Sequence, residues 1–418
     1  MRRHLIVLLA AFSLLAAACS GSDAESVDAA DGSTTTAAAP ETTAAPETTA
    51  APTTEAEPTT TTEASTTTEA ALPDLELIDP GPYSVGVITI EIANEANERP
   101  LTVDVWMPLV DGTTGEPHEY TLLAGSYYPS PDAISATPDA LSPDGPFPLV
   151  LYSHGSGGLR YIHSSYTEAI ASHGYVVVAP DHTGNTAVDA IAGAGTEAEL
   201  TAWNRVNDAI AVLDAMTDPD DPVTAPFQVA IDPERIAVTG HSFGGFTAHA
   251  IASGFTSSFG TVEADARVDA IISLAPFTRP ILSDDQLASI AVPNLLIGGS
   301  DDITTPIDPN VDDPWDLGAS EQAARVELIG AEHESFTDVC NMVAKLPEIE
   351  TVAPFVVEAL EARTEAGCDP GDLAIERVED LTQTFAVSFL DAVFKGGAMI
   401  DDDAVMLPDD AVYDDRGF

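Results

Sequence analysis

Short apolar runs alternate with longer amphipathic stretches from about residue 147 to residue 394. The apolar runs predict strands over residues 147–153, 175–179, 235–239, 270–274, 294–298 and 326–329. The stretches around them predict helices over residues 164–171, 197–216, the segment after 242, 284–290 and 320–325, and a closing helix over 375–394. Continuously apolar strands that alternate with helices are typical of an α/β fold, in which a mostly parallel, doubly wound sheet is covered on both faces.

An earlier region has a different pattern. Residues 83–92 and 101–107 alternate apolar and polar positions, which predicts a pair of antiparallel N-terminal strands. A long loop rich in Pro, Gly, Ser and Asp follows them. Because the globular pattern begins near residue 73, we predict one folded domain over residues 73–418.

The sequence Gly-His-Ser-Phe-Gly-Gly at 240–245 lies between a predicted strand and a predicted helix. A serine on such a turn is typical of a nucleophile elbow, in which small neighbours leave room for an unusual backbone conformation. The hydroxyl of Ser242 is then exposed at a helix N-terminus, where the backbone N–H of Phe243 can stabilise an oxyanion. A Gly- and Ser-rich turn that matches by chance is the alternative, so the flanking strand and helix carry the prediction.

A serine nucleophile needs a base and an orienting acid, expected after later strands in the order Ser, acid, His. Asp301 and Asp302 both follow the strand at 294–298, and the position of Asp302 between Gly299 and Pro306 favours it as the acid. A solvated acidic turn is the alternative for both. Among the histidines, His333 alone lies after these acids, on the loop that leaves the strand at 326–329, which favours it as the base. An ordinary polar loop residue is the alternative.

A second oxyanion donor is expected on the loop after the strand at 147–153, where the sequence is His-Gly-Ser-Gly-Gly. Glycines let backbone N–H groups approach a ligand closely, and the N–H of Ser156 is the candidate. The alternative is a flexible glycine loop without a role.

Together these segments resemble the α/β-hydrolase superfamily over about residues 82–394. The chain is most similar to the dienelactone-hydrolase-like group, which includes bacterial platelet-activating factor acetylhydrolase-like esterases and polyester-hydrolysing cutinases. The segments that carry the resemblance are 148–155, 178–186, 205–208, 240–245 and 330–336. The resemblance and the residues together imply acyl transfer to water by Ser242, His333 and Asp302, through an acyl-enzyme and with no metal or organic cofactor. An insertion at about residues 337–372 departs from compact cutinases, and one interpretation of it is a cap over the pocket.

The first residues predict export. A basic start is followed by an apolar run at 5–15 that is too short to span a bilayer, and small residues at 16–18 precede Cys19. This pattern resembles the lipobox of bacterial lipoproteins, with Cys19 as the lipidated residue; an ordinary secretory signal with an incidental cysteine is the alternative. Residues 20–72 are nearly all Ser, Thr, Ala, Pro and Glu, which predicts a disordered tether. We therefore expect a lipoprotein at the bacterial cell surface that meets the membrane only through its lipid.

The charge of the chain excludes one class of binding partner, and its cysteines predict a disulfide. Acidic residues number 69 against 14 basic ones, which gives a net charge of −55 and excludes nucleic acid as a partner. With Cys19 set aside, Cys340 and Cys368 remain, and outside the cytoplasm such a pair predicts a disulfide. Two buried thiols are the alternative. No spacing of Cys or His that is typical of metal ligands occurs.

The sequence therefore predicts a serine carboxylic-ester hydrolase that acts on a small-molecule or polymeric ester outside the cell. An amidase or an acyl transferase would use the same residues. A non-catalytic binding lipoprotein that retains the fold is the remaining alternative.

Overall fold

A mixed sheet of eleven strands forms the centre of the protein. The computed structural model describes residues 73–94, 99–121, 127–279, 281–348, 352–369, 371–401 and 405–418. The predicted leader at 1–19, with Cys19, and the predicted tether at 20–72 lie outside these residues.

The strands and helices follow one another in the order that an α/β fold requires. The strands are β1 (Val85–Asn94), β2 (Arg99–Pro108), β3 (Pro117–Thr121), β4 (Tyr127–Ser135), β5 (Phe147–Ser153), β6 (Val176–Pro180), β7 (Ile231–His241), β8 (Phe255–Ser257), β9 (Gly260–Val262), β10 (Ala270–Leu274), β11 (Asn294–Gly299), β12 (Ala323–Leu328) and β13 (Ala411–Arg416). The helices are α1 (Ser164–Ser172), α2 (Ala187–Ala192), α3 (Ala198–Thr217), α4 (Phe243–Ser253), α5 (Asp284–Ala288), α6 (Ile307–Asn310), α7 (Asp312–Leu317), α8 (Val339–Lys345), α9 (Pro354–Glu361) and α10 (Ile375–Phe394). Short 3₁₀ segments occur at Pro138–Ala140, His333–Phe336, Leu346–Glu348 and Thr364–Ala366.

The strand order in the sheet is β13-β12-β11-β10-β7-β5-β6-β2-β1-β4-β3. The strands from β12 to β6 are parallel to their neighbours, whereas β13 and β2 join this block antiparallel. Strands β8 and β9 form a separate two-stranded ribbon. The predicted fold class, a mostly parallel sheet with antiparallel N-terminal strands, is confirmed.

Two apolar cores cover the two faces of the sheet. Along β5, Val150 and Tyr152 belong to the core that includes residues of α1 and α10, while Leu149 and Leu151 belong to the core that includes α3 and α4. Because side chains alternate across a strand, a strand covered on both faces has to be apolar at every position. This burial explains the continuous apolar runs in the sequence.

The sequence located most elements but missed some. The closing helix over 375–394 coincides with α10, and the predicted N-terminal pair is the antiparallel pair β1–β2. The predicted helix over 320–325 is wrong: Ala323 and Ala324 are buried in β12, where they pair with Asn294 and Leu295 of β11.

The long loop predicted after residue 107 contains two strands, β3 and β4. Both strands contain prolines, which are unusual in strands, so the sequence pattern does not predict them. Proline lacks a backbone N–H donor, and a position near the free edge of the sheet tolerates this.

The arginines of the described residues are all engaged in internal contacts. Most pair with a carboxylate, and Arg205 and Arg416 donate to backbone carbonyls. The arginines in ion pairs are Arg99, Arg160, Arg235, Arg267, Arg279, Arg325, Arg363 and Arg377.

Candidate active site

Ser242 lies on the sharp turn between β7 and α4. Its backbone has φ 55° and ψ −117°, a conformation that a residue with a side chain rarely adopts. A Cβ on Gly244 would lie 1.8 Å from the backbone oxygen of Ser153, and one on Gly240 would lie 2.5 Å from the backbone carbon of Gly244. The elbow therefore requires glycine at both positions because of close packing.

A continuous chain of hydrogen bonds connects Ser242, His333 and Asp302. The Nε2 of His333 lies 2.9 Å from the Oγ of Ser242, and its Nδ1 lies 2.7 Å from the Oδ2 of Asp302. Ser242, Asp302 and His333 follow β7, β11 and β12, so all three occupy the carboxyl ends of parallel strands. Ligand sites of open α/β sheets form at this edge.

Asp302, and not Asp301, lies beside His333. Asp301 is exposed, and its Oδ1 accepts a hydrogen bond from the hydroxyl of Ser300. The Oδ1 of Asp302 accepts hydrogen bonds from the backbone N–H groups of Thr304 and Thr305, at 2.8 and 2.7 Å. Burial by itself raises the pKa of Asp302, but its interactions with His333 and its hydrogen bonds with Thr305 outweigh burial, so the pKa lies below the usual value. The carboxylate is therefore charged at neutral pH.

Thr305 is a site residue that the sequence reasoning missed. Its hydroxyl lies 2.7 Å from the Oδ2 of Asp302 and 3.1 Å from the Nδ1 of His333. The signal in the sequence is the position of Thr305 three residues after an aspartate in a turn, where side chains and backbone groups bond locally.

Two backbone N–H groups on the segments around Ser242 are unpaired. Among the described residues, the N–H groups of Ser156 and Phe243 have no hydrogen-bond partner. A Cβ on Gly155 would lie 3.4 Å from the Cβ of Ser242, so the loop after β5 runs directly against the elbow. The loop that carries Ser156 and the first residue of α4, Phe243, therefore both lie beside the serine.

Two other histidines near the site, His241 and His182, make buried hydrogen bonds within the fold. The Nε2 of His241 lies 2.9 Å from the backbone oxygen of His333 and braces the loop that carries it. His182 joins Ser153 and Asp208 in a second Ser–His–Asp arrangement, at 2.9 and 3.1 Å, but these three residues are at most 1% exposed. Burial and nearby arginines lower the pKa of His182 well below its usual value, so it is neutral and inaccessible to substrate.

The insertion packs against the same loops. The predicted disulfide between Cys340 and Cys368 is confirmed, with the two Cα atoms 5.6 Å apart. From within the segment that it closes, Arg363 donates to the carbonyl of Gly157 at 3.0 Å and pairs with Glu334 at 2.8 Å. The insertion thus contacts both the loop after β5 and the loop that carries His333.

Metal-binding clusters and membrane-spanning helices are both absent from the described residues. These residues contain no group of three or more His, Cys, Asp or Glu side chains arranged to hold a metal ion. They also contain no helix with the length and apolar character needed to cross a bilayer.

Comparisons with known proteins agree with this architecture. The chlorophyllase family profile matches residues 125–285. A probable 1-alkyl-2-acetylglycerophosphocholine esterase of Arthroderma benhamiae is 33% identical over 110 residues, which cover 23% of this chain and only 26% of that protein. The structure of a ferulic acid esterase from Streptomyces cinnamoneus superimposes with a TM-score of 0.57 at 20% identity, covering 82% of this chain and 99% of that one. The chain therefore has the α/β-hydrolase fold.

Proposed function

We propose that the protein is a serine carboxylic-ester hydrolase that acts through Ser242, His333 and Asp302. The observation that carries the proposal is the chain of hydrogen bonds from Ser242 through His333 to Asp302, next to two unpaired backbone N–H groups. The esterase relatives are consistent with it.

The hydrogen bonds indicate the role of each group in ester hydrolysis. Because the Nδ1 of His333 faces a charged carboxylate, it carries the proton, and the Nε2 is left to accept the proton of Ser242. The Oγ of Ser242 then attacks the ester carbonyl, and the N–H groups of Phe243 and Ser156 stabilise the oxyanion of the tetrahedral intermediate. His333 next donates its proton to the leaving alcohol. Water repeats the sequence on the acyl-enzyme, and this chemistry requires no cofactor.

A fluorophosphonate probe tests the proposal, because it reacts covalently only with an activated serine. The full chain is labelled alongside Ser242→Ala and His333→Ala. We expect labelling of the wild type, none of the Ser242 variant, and a large decrease for the His333 variant. A folded wild type that does not react would favour a binding protein. Labelling that survives Ser242→Ala would show that Ser242 is not the nucleophile.

A matched panel of substrates separates the reaction classes. An acyl ester and the corresponding amide with the same acyl group are compared, with and without an added alcohol as acceptor. We expect rapid release of acid from the ester, slow cleavage of the amide and little transfer to the alcohol. Preferential amide cleavage or acyl transfer would replace the esterase proposal.

We also propose that Cys19 is lipidated, that residues 20–72 are a tether, and that the domain at 73–418 acts on an ester outside the cell. A bacterial host grown with labelled palmitate checks the anchor. Label should enter the wild type and not Cys19→Ala, which should leave the membrane fraction. Equal labelling of both would contradict the anchor.

A further inference from the structure

Two arginines hold four consecutive carbonyls of the loop after β5. Arg205 donates to the carbonyls of His154 and Gly155, at 2.6 and 2.9 Å. Arg363 donates to the carbonyls of Ser156 and Gly157, at 3.5 and 3.0 Å. This loop contains glycines at 155, 157 and 158, so few of its own side chains fix its conformation; the Nδ1 of His154 bonds to the carbonyl of Gly155 at 2.7 Å.

The contact of Arg205 with Gly155 contributes to the direction of one N–H group. In a planar trans peptide the C=O and the N–H point in opposite directions. The carbonyl of Gly155 and the N–H of Ser156 belong to the same peptide. That carbonyl accepts from Arg205 at 2.9 Å, from the Nδ1 of His154 at 2.7 Å and from the N–H of Gly158 at 3.1 Å. With the carbonyl held in this way, the N–H of Ser156 is turned to the opposite side, where it has no partner among the described residues.

Arg205 also contacts the other oxyanion arm. Its guanidinium carbon lies 4.9 Å from the centre of the Phe243 ring, a cation–π geometry. Phe243 begins α4, and its backbone N–H is the second donor of the proposed oxyanion site. A single guanidinium therefore contacts both arms.

The orientation of Arg205 is itself fixed. Its Nε and one terminal nitrogen both donate to the Oδ1 of Asn185, at 2.9 and 2.6 Å, and the Nδ2 of Asn185 donates to the Oγ of Ser156 at 3.2 Å. Arg205 is 0% exposed, so water cannot replace these bonds. A buried cation whose donors are directed at loop carbonyls is costly to maintain for folding alone, which points to a role at the site.

We propose that Arg205 is a positioning residue of the oxyanion site, which orients the N–H of Ser156 and holds Phe243 in register with it. This inference rests on the proposed esterase function. Arg205 acts through the backbone and does not contact the substrate.

Arg205→Lys is the main test, because it keeps the charge but cannot serve both carbonyls and Asn185 in one plane. Turnover of a p-nitrophenyl acyl ester is measured per active site titrated with fluorophosphonate, so that any unfolded fraction does not count. We expect kcat to fall by about 10- to 100-fold, with KM within about threefold of wild type, since an oxyanion donor acts mainly in the transition state.

An inhibitor provides a readout that a purely structural role would not change. A trifluoromethyl ketone forms an oxyanion with the serine, so its affinity should fall by the same factor as kcat/KM. Arg99→Lys is the matched control: Arg99 pairs with Asp208 in the neighbouring network and makes no contact with the loop, so kcat should stay within twofold of wild type.

The outcomes are distinguishable. If Arg205→Lys retains wild-type kcat and inhibitor affinity per active site, the inference is wrong and the esterase proposal stands. If Arg205→Lys does not fold, Asn185→Ala, which removes the acceptor that aligns the guanidinium, should lower kcat by about tenfold, and an unchanged kcat would overturn the inference. A wild type that neither reacts with fluorophosphonate nor hydrolyses esters would overturn both proposals.

Discussion

Arg363 and Glu334 form an ion pair with a nitrogen–oxygen distance of 2.8 Å, which joins the insertion to the residue that follows His333. Glu334 is buried, whereas the side chain of Arg363 is 21% exposed. Burial raises the pKa of Glu334, but Arg363 and the two neighbouring histidines lower it by more, so the pKa lies below the usual value. The charged carboxylate therefore depends on its arginine.

Removal of Arg363 should destabilise the fold in a pH-dependent way. Arg363→Met leaves a buried carboxylate without its partner, and we expect the free energy of unfolding to fall by about 2–3 kcal/mol at pH 7, less than for a fully buried pair. Because the pKa of Glu334 is lowered in the native state, the ion pair stabilises above the usual pKa of a glutamate, and this stabilisation is lost as the pH falls. Urea unfolding at pH 7 and pH 4 measures the difference. The double variant with Glu334→Gln should recover part of the loss; equal destabilisation of the single and double variants would contradict the interpretation.

The disulfide should contribute measurably to stability. It links residues 28 apart in sequence, and the chain-entropy model gives about 3–4 kcal/mol for a loop of this length. We expect Cys340→Ala/Cys368→Ala to lower Tm by roughly 5–10 °C in calorimetry. Addition of a reductant to the wild type should reproduce the shift and leave the double variant unchanged. A wild type insensitive to full reduction would show that the insertion is held by its other contacts.

Asp302 and Asp301 offer a matched pair of substitutions. Asp302→Asn would leave the hydrogen-bond geometry but remove the charge that selects the His333 tautomer, and we expect kcat to fall by roughly 10⁴-fold. Asp301→Asn changes an exposed carboxylate and should leave kcat within twofold of wild type. Steady-state kinetics on an activated ester gives both numbers. A larger effect at Asp301 would reassign the acid.

Glu379 on α10 should make the fold less stable in alkaline solution. Burial first, and then the charge of Asp338, raise its pKa to about 8. In the unfolded chain this glutamate ionises near pH 4.5, so its contribution to stability is lost as the pH rises from about 4.5 to about 8. Glu379→Gln retains an acceptor for Asn341, which donates to Glu379 at 2.6 Å, and removes the charge.

Melting curves between pH 5 and pH 9 measure this effect. We expect Glu379→Gln to match the wild type at pH 5 and to exceed it in Tm at pH 9. Glu358→Gln, at an exposed position on α9 that does not contribute to the shift of Glu379, is the control and should not change the slope. Parallel curves for the wild type and Glu379→Gln would show that Glu379 does not titrate in this range.

The sequence predicted the parts of the site that have a local signature. Ser242 lies in a short motif between a strand and a helix, and His333 follows from chain order because no other histidine comes after the acids. Asp302 was favoured over Asp301 by spacing alone, and the structure places it against His333.

The residues that sequence reasoning missed bond mainly to backbone atoms or to distant segments. Arg205 and Arg363 hold carbonyls of the loop after β5, and the bond from Arg363 to Gly157 joins residues 206 apart. A backbone carbonyl has the same chemistry in every residue, so no pattern in the sequence marks the segment to which an arginine will bind. Strands β3 and β4 were missed for a related reason: their register depends on a sheet edge that only the folded chain provides.

The hydrogen bonds and ion pairs of the arginines within the fold affect the electrostatic interaction between two copies of the molecule. The net charge is −55, and the arginines of the described residues are already bonded within the fold, so negative charge greatly exceeds the positive charge that could offset it. Two approaching molecules therefore repel each other over distances of about a Debye length, roughly 8 Å at physiological ionic strength and 30 Å at 0.01 M. Dilution of the salt should strengthen this repulsion and keep concentrated solutions of the protein disperse.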